Sequence, residues 1–226
     1  MTRTRARRRI VPFGDSALMV VLGDGVDPVL NARVHRLAAA VRRLSGNDPR
    51  FGSPVPAYAS VLVPTDIHAT SPDDLIGVLS DVVDEVDGDV GAQASEPMLH
   101  AFPTRYGGEA GPDLDELAAV HDLRPADVIE IHASADYRVY FLGFAPGFAY
   151  LGRVPDAIAT PRRAVPRQRV AAGSVGIGRD QTGIYPFEAP AGWHLIGRTD
   201  VTLWDPAADP PALLAPGDRV RFVPIG

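Results

Sequence analysis

The chain has 226 residues, of which 46% are hydrophobic, and a formal net charge of −6, so we expect one large or two small domains with a proper core. It has no cysteine, and its 22 basic residues are all arginine, which excludes disulfides, thiolate nucleophiles, Cys-ligated zinc, Schiff-base lysines and a P-loop lysine. No apolar run approaches the length of a membrane span. The arginine-rich start, through Arg9, lacks a secretory hydrophobic stretch, and we interpret it as a solvated tail. These features predict a cytoplasmic protein that binds neither membranes nor nucleic acids.

The first part of the chain alternates between strand and helix patterns. Helices are predicted from Asp27 and from Ser71, because each is an N-cap residue followed by a first-turn proline. Short apolar strands are predicted at Ala17–Leu22 and Tyr58–Val63, with Leu99–Pro103 as a third strand returning to them. This order predicts an α+β fold that begins with a ferredoxin-like α/β sandwich, placed at residues 1–92.

The remaining residues, 93–226, are predicted to form a second domain dominated by short strands. The polar stretch Asp87–Glu96 marks the boundary. Two short helices are predicted at Asp113–His121 and Pro125–His132. From Tyr137 onward, strand patterns such as YRVYFLGF, TGIYPF, VTLWD and RVRFVPI alternate with turn signals. Short strands in this regular spacing predict a closed barrel or a sandwich.

The segment Phe141–Arg198 combines nine glycines and six prolines with seven aromatic residues. Gly and Pro beside aromatic residues indicate many specified turns in a packed β domain. The segment also carries seven arginines against three acidic residues, a local net charge of +4 within an acidic protein. We therefore expect a rigid, cationic, aromatic-lined pocket in this segment.

Candidate binding residues lie throughout this segment. The arginines could clamp a carboxylate or an acyl phosphate in a bidentate fork, or instead bond turn carbonyls or face a partner protein. The aromatic residues could wall a pocket or pack under the barrel. The candidate substrate-binding residues are Phe144, Pro146, Gly147, Arg162, Arg167, Ser174, Gln181, Tyr185, Trp193 and Arg198.

The segment offers little that could act as a self-contained catalytic centre. His194 is the candidate catalytic residue, as a proton carrier or hydrogen-bond donor; the alternative, which we favour, is an ordinary strand residue. The histidines have no metal-ligand spacing, so no metal site is predicted. GSVGIG, which contains Ser174, lacks a following helix and a lysine, and we interpret it as a tight strand that another group approaches closely. Ser174 has no evident His/Asp pair. The chain is therefore expected to share its active site with another protein of a complex.

Several of these motifs resemble those of the allophanate hydrolase subunit 1 family, which includes the B subunit of 5-oxoprolinase and the kinase inhibitor KipI. The resemblance rests on GFAPGFAYLG, AGSVGIG, QTGIYP, GWHLIGRT and the closing PGDRVRFVPI, with shorter matches at GDSALMV, VPAYASVLV and YGGEAGPDLDELA. It extends from about Phe13 to Ile225. The chain departs from the usual pattern at Ala191, where PAGW replaces PGGW, and at Thr104-Arg105.

The resemblance implies a cyclophilin-like β-barrel in the second domain. It also implies that the chain is the B subunit of an ATP-dependent 5-oxoprolinase, which hydrolyses the lactam 5-oxoproline to glutamate and is inactive without its other components. The expected partners are the C subunit, which is homologous to allophanate hydrolase subunit 2, and the A subunit. ATP is used by the complex, and the resemblance does not say which component binds it. The alternatives are an allophanate or urea amidolyase-type subunit 1 and a non-enzymatic histidine-kinase inhibitor of the KipI type.

Overall fold

A computed structural model describes residues 8–66, 71–88 and 97–226 of the chain. The chain divides into two compact units, Met1–Ser95 and Glu96–Gly226. The predicted boundary at residues 92 and 93 lies outside the described residues, as do the N-terminal arginines before Arg8. No helix in the described ranges is both long and apolar enough to cross a membrane.

The N-terminal unit is an antiparallel sheet with two helices. In chain order it contains β1 (Arg9–Pro12), β2 (Ala17–Val21), α1 (Pro28–Asn47), β3 (Val55–Pro56), β4 (Ser60–Pro64) and α2 (Pro72–Gly88). The strand order is β1-β2-β4-β3. Leu18 pairs with Val63 and Val20 with Val61. These inward side chains share one core with the apolar faces of α1 and α2, so the helices pack against one face of the sheet.

Both predicted helix starts of this unit are confirmed. The Asp27 side chain accepts a hydrogen bond from the Leu30 N–H at 2.8 Å, and Pro28 occupies the first turn of α1. The Ser71 hydroxyl accepts from the Asp74 N–H at 3.2 Å ahead of α2. Each cap satisfies a backbone donor that the first helical turn would leave unpaired.

The predicted third strand of this unit was wrong, because Leu99–Pro103 belongs to the other unit. It is part of a strand that pairs in parallel with Arg219–Ile225 over seven residues, and Phe102 is buried in the second core. The first sheet instead contains β1, at its edge beside β2, and the sequence pattern did not identify β1 as a strand. The resulting order is strand, strand, helix, strand, strand, helix, so the ferredoxin-like arrangement is not confirmed.

The second unit contains two sheets and two helices. Its elements are β5 (Leu99–Tyr106), α3 (Leu114–Val120), α4 (Pro125–Ser134), β6 (Tyr137–Leu142), β7 (Ala149–Leu151), a 3-10 turn (Asp156–Ile158), β8 (Arg167–Val170), β9 (Ser174–Gly178), β10 (Gln181–Ile184), β11 (Ala189–Ala191), β12 (His194–Arg198) and β13 (Arg219–Ile225). Seven strands form a mixed sheet in the order β10-β9-β12-β5-β13-β6-β7, and β8 pairs with β11 in a separate ribbon.

The seven-stranded sheet nearly closes into a barrel. Its two edge strands meet where Arg153 bridges to Gln181 and where the Val154 N–H donates to the Asp180 carbonyl at 2.9 Å. The predicted α+β class is therefore confirmed, and of the predicted closed barrel or sandwich the structure shows a nearly closed barrel. The predicted VTLWD strand was wrong, because only Trp204 forms an isolated bridge, to Ala212.

A directed chain of hydrogen bonds crosses the core of the second unit through His132. Thr182 donates its hydroxyl proton to the Gly176 carbonyl at 3.0 Å, so its oxygen accepts from His132 Nε2 at 2.9 Å. His132 Nδ1 is then left as the acceptor for the Tyr106 hydroxyl at 2.8 Å. The imidazole is fully buried, and this burial lowers the pKa of His132 from 6.5 to about 3.

The stability of this unit should fall as the pH drops below about 6.5. Below that pH His132 is protonated in the unfolded chain, whereas in the folded chain it stays neutral down to about pH 3. The free energy of unfolding therefore falls by up to about 1.4 kcal/mol for each pH unit between these two values. Urea unfolding followed by tryptophan fluorescence at pH 7 and pH 5 measures the effect, because Trp193 and Trp204 both lie in this unit. Wild type should lose about 2 kcal/mol more than His132→Gln over this interval. Parallel pH dependences of the two proteins would contradict the assignment.

Candidate functional site

A pocket of about 110 Å³ lies on the outer face of the barrel sheet of the second unit. Four chain segments meet there: the β6–β7 loop with β7, the loop before β8, the residue that follows β10, and the end of β11 with its connection to β12. Its wall is formed mainly by aromatic residues, with one charged side chain. The lining residues are Phe144, Phe148, Tyr150, Arg162, Tyr185, Pro190, Ala191, Gly192 and Trp193.

Glycines on strands β9 and β10 make room for the aromatic floor of the pocket. Along β9, Val175 and Ile177 face the barrel core, and the alternating Gly176 and Gly178 face outward. A Cβ atom at Gly178 would stand 2.4 Å from Trp193 Cδ1, closer than any real contact allows. One at Gly183 would stand 3.2 Å from both Trp193 and Phe148. The glycines of GSVGIG therefore let the Trp193 indole lie against the sheet.

The aromatic wall is held together by edge-to-face and tilted ring contacts around Phe148. Its ring centroid lies 5.2 Å from that of Tyr150, 5.5 Å from Tyr185 and 5.8 Å from Trp193. These geometries are the favoured ones for aromatic pairs. Phe144 stands at the lip, 63% exposed, with a left-handed φ of +69° that is strained for a residue with a side chain. Strain of this kind is concentrated at binding sites.

Arg162 is the cation of the pocket. Its guanidinium carbon lies 6.0 Å from the centre of the Trp193 ring, within cation–π range. Burial raises the pKa of the Tyr185 hydroxyl, and the nearby charge of Arg162 works against that rise. None of the ion pairs among the described residues includes Arg162, whereas Arg163 and Arg167 both pair with carboxylates. The pocket therefore presents a positive charge beside apolar surface, which suits a small anion with an apolar body.

The loop that carries Arg162 is tied to a buried carboxylate, Asp113. Asp113 is 2% exposed, and its oxygens accept from Arg167 at 2.6 and 2.8 Å, from Arg163 at 2.9 Å, and from the Leu195 N–H at 2.7 Å. Burial raises the pKa of Asp113, but these hydrogen bonds and the two arginine charges outweigh burial and lower the pKa below its usual value. Arg167 thus serves an internal ion pair and does not line the pocket.

The structure brings four of the predicted binding residues into the pocket wall, Phe144, Arg162, Tyr185 and Trp193. Pro146 and Gly147 lie in the same loop as Phe144, outside the lining. Gly147 has a φ of +75°, and a Cβ there would stand 2.9 Å from Trp204 Cβ, so backbone geometry accounts for this glycine.

The remaining predicted residues lie elsewhere on the barrel. Ser174 and Arg198 face each other in the β9–β12 register, at the opposite end of these strands from Trp193. Gln181 begins β10 at the seam where the barrel closes. His194 points to the strand face opposite Trp193, and its Nε2 donates to the Pro161 carbonyl at 3.0 Å. Its Nδ1 is buried without a hydrogen-bond partner among the described residues.

The candidate residues named from the sequence omit Tyr150 and Pro190–Gly192, at the end of β11, from the pocket lining, and they omit Asp113 as the anchor. Tyr150 lies in the segment Phe141–Arg198, so its aromatic ring was already part of the predicted aromatic-lined pocket. The sequence predicts that a helix starts at Asp113, and Asp113 does precede α3, yet its side chain makes no capping hydrogen bond. No local signal links it to arginines 50 and 54 positions away. Within the described residues, no group of three or more His, Asp or Glu could hold a metal ion.

Replacing Gly178 by alanine should distort the pocket floor. The new methyl group would overlap the Trp193 indole, and overpacking of this kind costs about 1–3 kcal/mol. Urea unfolding and the tryptophan emission spectrum, measured in a Trp204→Phe background so that only Trp193 emits, should both change. Gly143→Ala is the matched control, because a Cβ there meets its nearest atoms at an ordinary 3.7 Å. Equal effects of the two substitutions would refute the role of Gly178.

A family model for the carboxyltransferase domain, subdomains C and D, matches residues 8–214 of the chain. The chain is 39% identical to the 5-oxoprolinase B subunit of Bacillus subtilis over 226 residues, covering 97% of this chain and 93% of that protein. It is 55% identical to the 5-oxoprolinase B subunit of Escherichia coli O157:H7 over 135 residues, covering 59% of this chain and 62% of that protein.

Among solved structures, the chain is similar to a crystal structure of TTHA0988, with 36% identity and a TM-score of 0.77. The match covers 93% of this chain but only 40% of that longer chain. The resemblance drawn from the sequence motifs is confirmed by these findings together. The chain belongs to the family of the carboxyltransferase domain, subdomains C and D, and has the B subunits of 5-oxoprolinases among its relatives.

Proposed function

We propose that this chain is the B subunit of an ATP-dependent 5-oxoprolinase complex, in which it binds the lactam substrate. The similarity to the Bacillus subtilis protein, which extends over 97% of this chain, carries the proposal. The barrel unit, which we infer to be cyclophilin-like, supplies the pocket. We also infer that the complex works in the cytoplasm and that its other components are the A and C subunits.

The pocket chemistry suits 5-oxoproline, which has a carboxylate and a lactam amide on a small five-membered ring. Arg162 offers two parallel N–H donors to the carboxylate, and Trp193 offers a flat apolar surface to the ring. The Tyr185 hydroxyl, whose pKa is raised by burial, stays protonated at neutral pH and can donate to the lactam. Each of these roles is one of binding and orientation.

The pocket wall, as formed by the described residues, contains no group suited to act as a general base at neutral pH. Its ionisable residues are Arg162, Tyr150 and Tyr185, and none of these residue types is ordinarily a proton acceptor there. The reacting groups are therefore expected from a partner protein that completes the open side of the pocket, and this chain alone should be inactive.

The pocket does not fit ATP. At about 110 Å³ it falls below the roughly 300–1,000 Å³ that pockets for larger ligands occupy. The chain also lacks the lysine that a P-loop requires. We therefore infer that ATP binds to another component of the complex.

Reconstitution tests the proposal directly. The purified chain is mixed with its candidate A and C subunits, 5-oxoproline and ATP, and glutamate is measured. Glutamate should form only when all three proteins are present. Undiminished activity without this chain would sink the proposal. Activity on urea or allophanate in its place, or inhibition of a histidine kinase by this chain, would favour one of the two alternative functions.

Arg162→Lys should weaken substrate use by the reconstituted complex. Lysine keeps the charge but loses the bidentate fork, so kcat/KM for 5-oxoproline should fall by about ten- to a hundredfold, the scale of about 1.5–3 kcal/mol for a charged hydrogen bond. Arg169→Lys is the control, because Arg169 pairs with Glu188 on the exposed ribbon. Steady-state kinetics of both variants decide the matter. If Arg162→Lys keeps the kcat/KM of the wild type, the substrate carboxylate does not bind to Arg162.

A further inference from the structure

Arg162 lies between two residues that are both held in place. Before it, the Pro161 carbonyl accepts from His194 Nε2 at 3.0 Å. After it, the Arg163 N–H donates to the Gly192 carbonyl at 2.8 Å, and the Arg163 guanidinium reaches Asp113 at 2.9 Å. The loop is thus fixed on both sides of the arginine that lines the pocket.

The Asp113 carboxylate joins three separate parts of the second unit. It binds Arg163, which follows Arg162 in the loop before β8, and Arg167, the first residue of β8, and it accepts from the Leu195 N–H of β12. The Asp113 N–H in turn donates to the Leu195 carbonyl at 2.9 Å. One buried anion therefore fixes the distance between the Arg162 loop and the strand that follows Trp193.

This arrangement differs from the usual use of an aspartate in that position. Asp113 precedes α3, where an aspartate commonly caps a backbone N–H of the first turn. Its side chain makes no such bond and is directed to the two arginines and β12. A buried ion cluster of this kind adds little net stability compared with apolar packing, but it imposes a specific geometry. The cluster is therefore better explained by the position it imposes than by the stability it adds.

We propose that Asp113 is a positioning residue for the pocket: through Arg163 and Arg167, its carboxylate holds the loop that presents Arg162 to the substrate. The inference rests on the proposed function in that it takes the pocket to be the substrate site. Without the carboxylate charge, Arg167 loses its ion-pair partner and Arg163 keeps only the exposed Glu116, at 3.1 Å, so the loop is held less firmly. Arg162 then leaves its place over the Trp193 ring, and substrate binding weakens although no contact residue has changed.

The first arm of the test needs no activity. In a Trp204→Phe background, Trp193 is the single tryptophan, and its quenching by acrylamide reports how well Arg162 and its loop cover the ring. Asp113→Asn should raise the quenching constant toward that of Arg162→Met. The matched control is Asp136→Asn, because Asp136 is also a carboxylate that binds two arginines, Arg219 and Arg221, in the same unit. Its quenching should equal that of the parent protein.

The second arm uses the reconstituted complex with 5-oxoproline. Asp113→Asn should raise KM by about tenfold or more, the scale of one charged hydrogen bond, with a smaller change in kcat. The double variant Asp113→Asn/Arg162→Met should be no worse than Arg162→Met alone, because Asp113 acts through Arg162. A merely structural role would instead give losses that add.

The outcomes separate the two proposals. If the complex forms no glutamate even with the wild-type chain, the proposed function fails, and the quenching arm still decides the role of Asp113. If Asp113→Asn shows parental quenching, or if the double variant loses the product of the two single effects, the positioning role is overturned. Should Asp113→Asn fail to fold, Arg167→Met is used in both arms, because it releases one guanidinium and leaves Arg163 paired; the same pattern is expected.

Discussion

The parallel pairing of β5 with β13 is the contact on which the second unit depends. It joins the first strand of the unit to the last over seven residue pairs, from Leu99 with Arg219 to Arg105 with Ile225. Strand β12 adds to the other edge of β5, and β6 adds to the other edge of β13. All other strands of the barrel sheet extend from these two central strands. Because the pairing joins the two ends of the unit, it closes a long loop and costs conformational entropy. Burial of the core that the sheet encloses must offset this cost.

The two faces of the barrel sheet serve different purposes, and strand alternation separates them. Inward residues such as Val175, Ile177 and Ile196 fill the core around the His132 hydrogen-bond chain. On the outer face, Gly176, Gly178 and Gly183 leave space for Trp193 and Phe148, which pack over them. The pocket therefore depends on the lack of side chains at the outward glycines of β9 and β10, because a single methyl group at Gly178 would displace Trp193. The same strands form the wall of the core and the floor of the pocket, so close packing in the core also keeps the pocket floor rigid.

Charge in the pocket region is partitioned among neighbouring arginines. Arg163 and Arg167 both pair with Asp113, Arg163 also pairs with Glu116, and Arg169 pairs with Glu188. Within the described part of the chain, Arg162 has an aromatic ring in place of an ion pair. A guanidinium that already has a carboxylate partner gains little from a second anion, so Arg162 is better suited to bind a ligand than its neighbours. The proposed substrate site follows from this partition.

The sequence by itself determined the local features and the family. Asp27 and Ser71 start helices through hydrogen bonds that span only a few residues, so their patterns were sufficient. The segment Phe141–Arg198 was identified as the site region because its glycines, aromatic residues and arginines are close in sequence. Tertiary structure alone decided that Leu99–Pro103 joins β13, that Asp113 holds Arg163 and Arg167, and that His194 and Trp193 lie on opposite faces of β12. These contacts join residues that are far apart along the chain or depend on which face of a strand is buried, and local patterns carry no information about either.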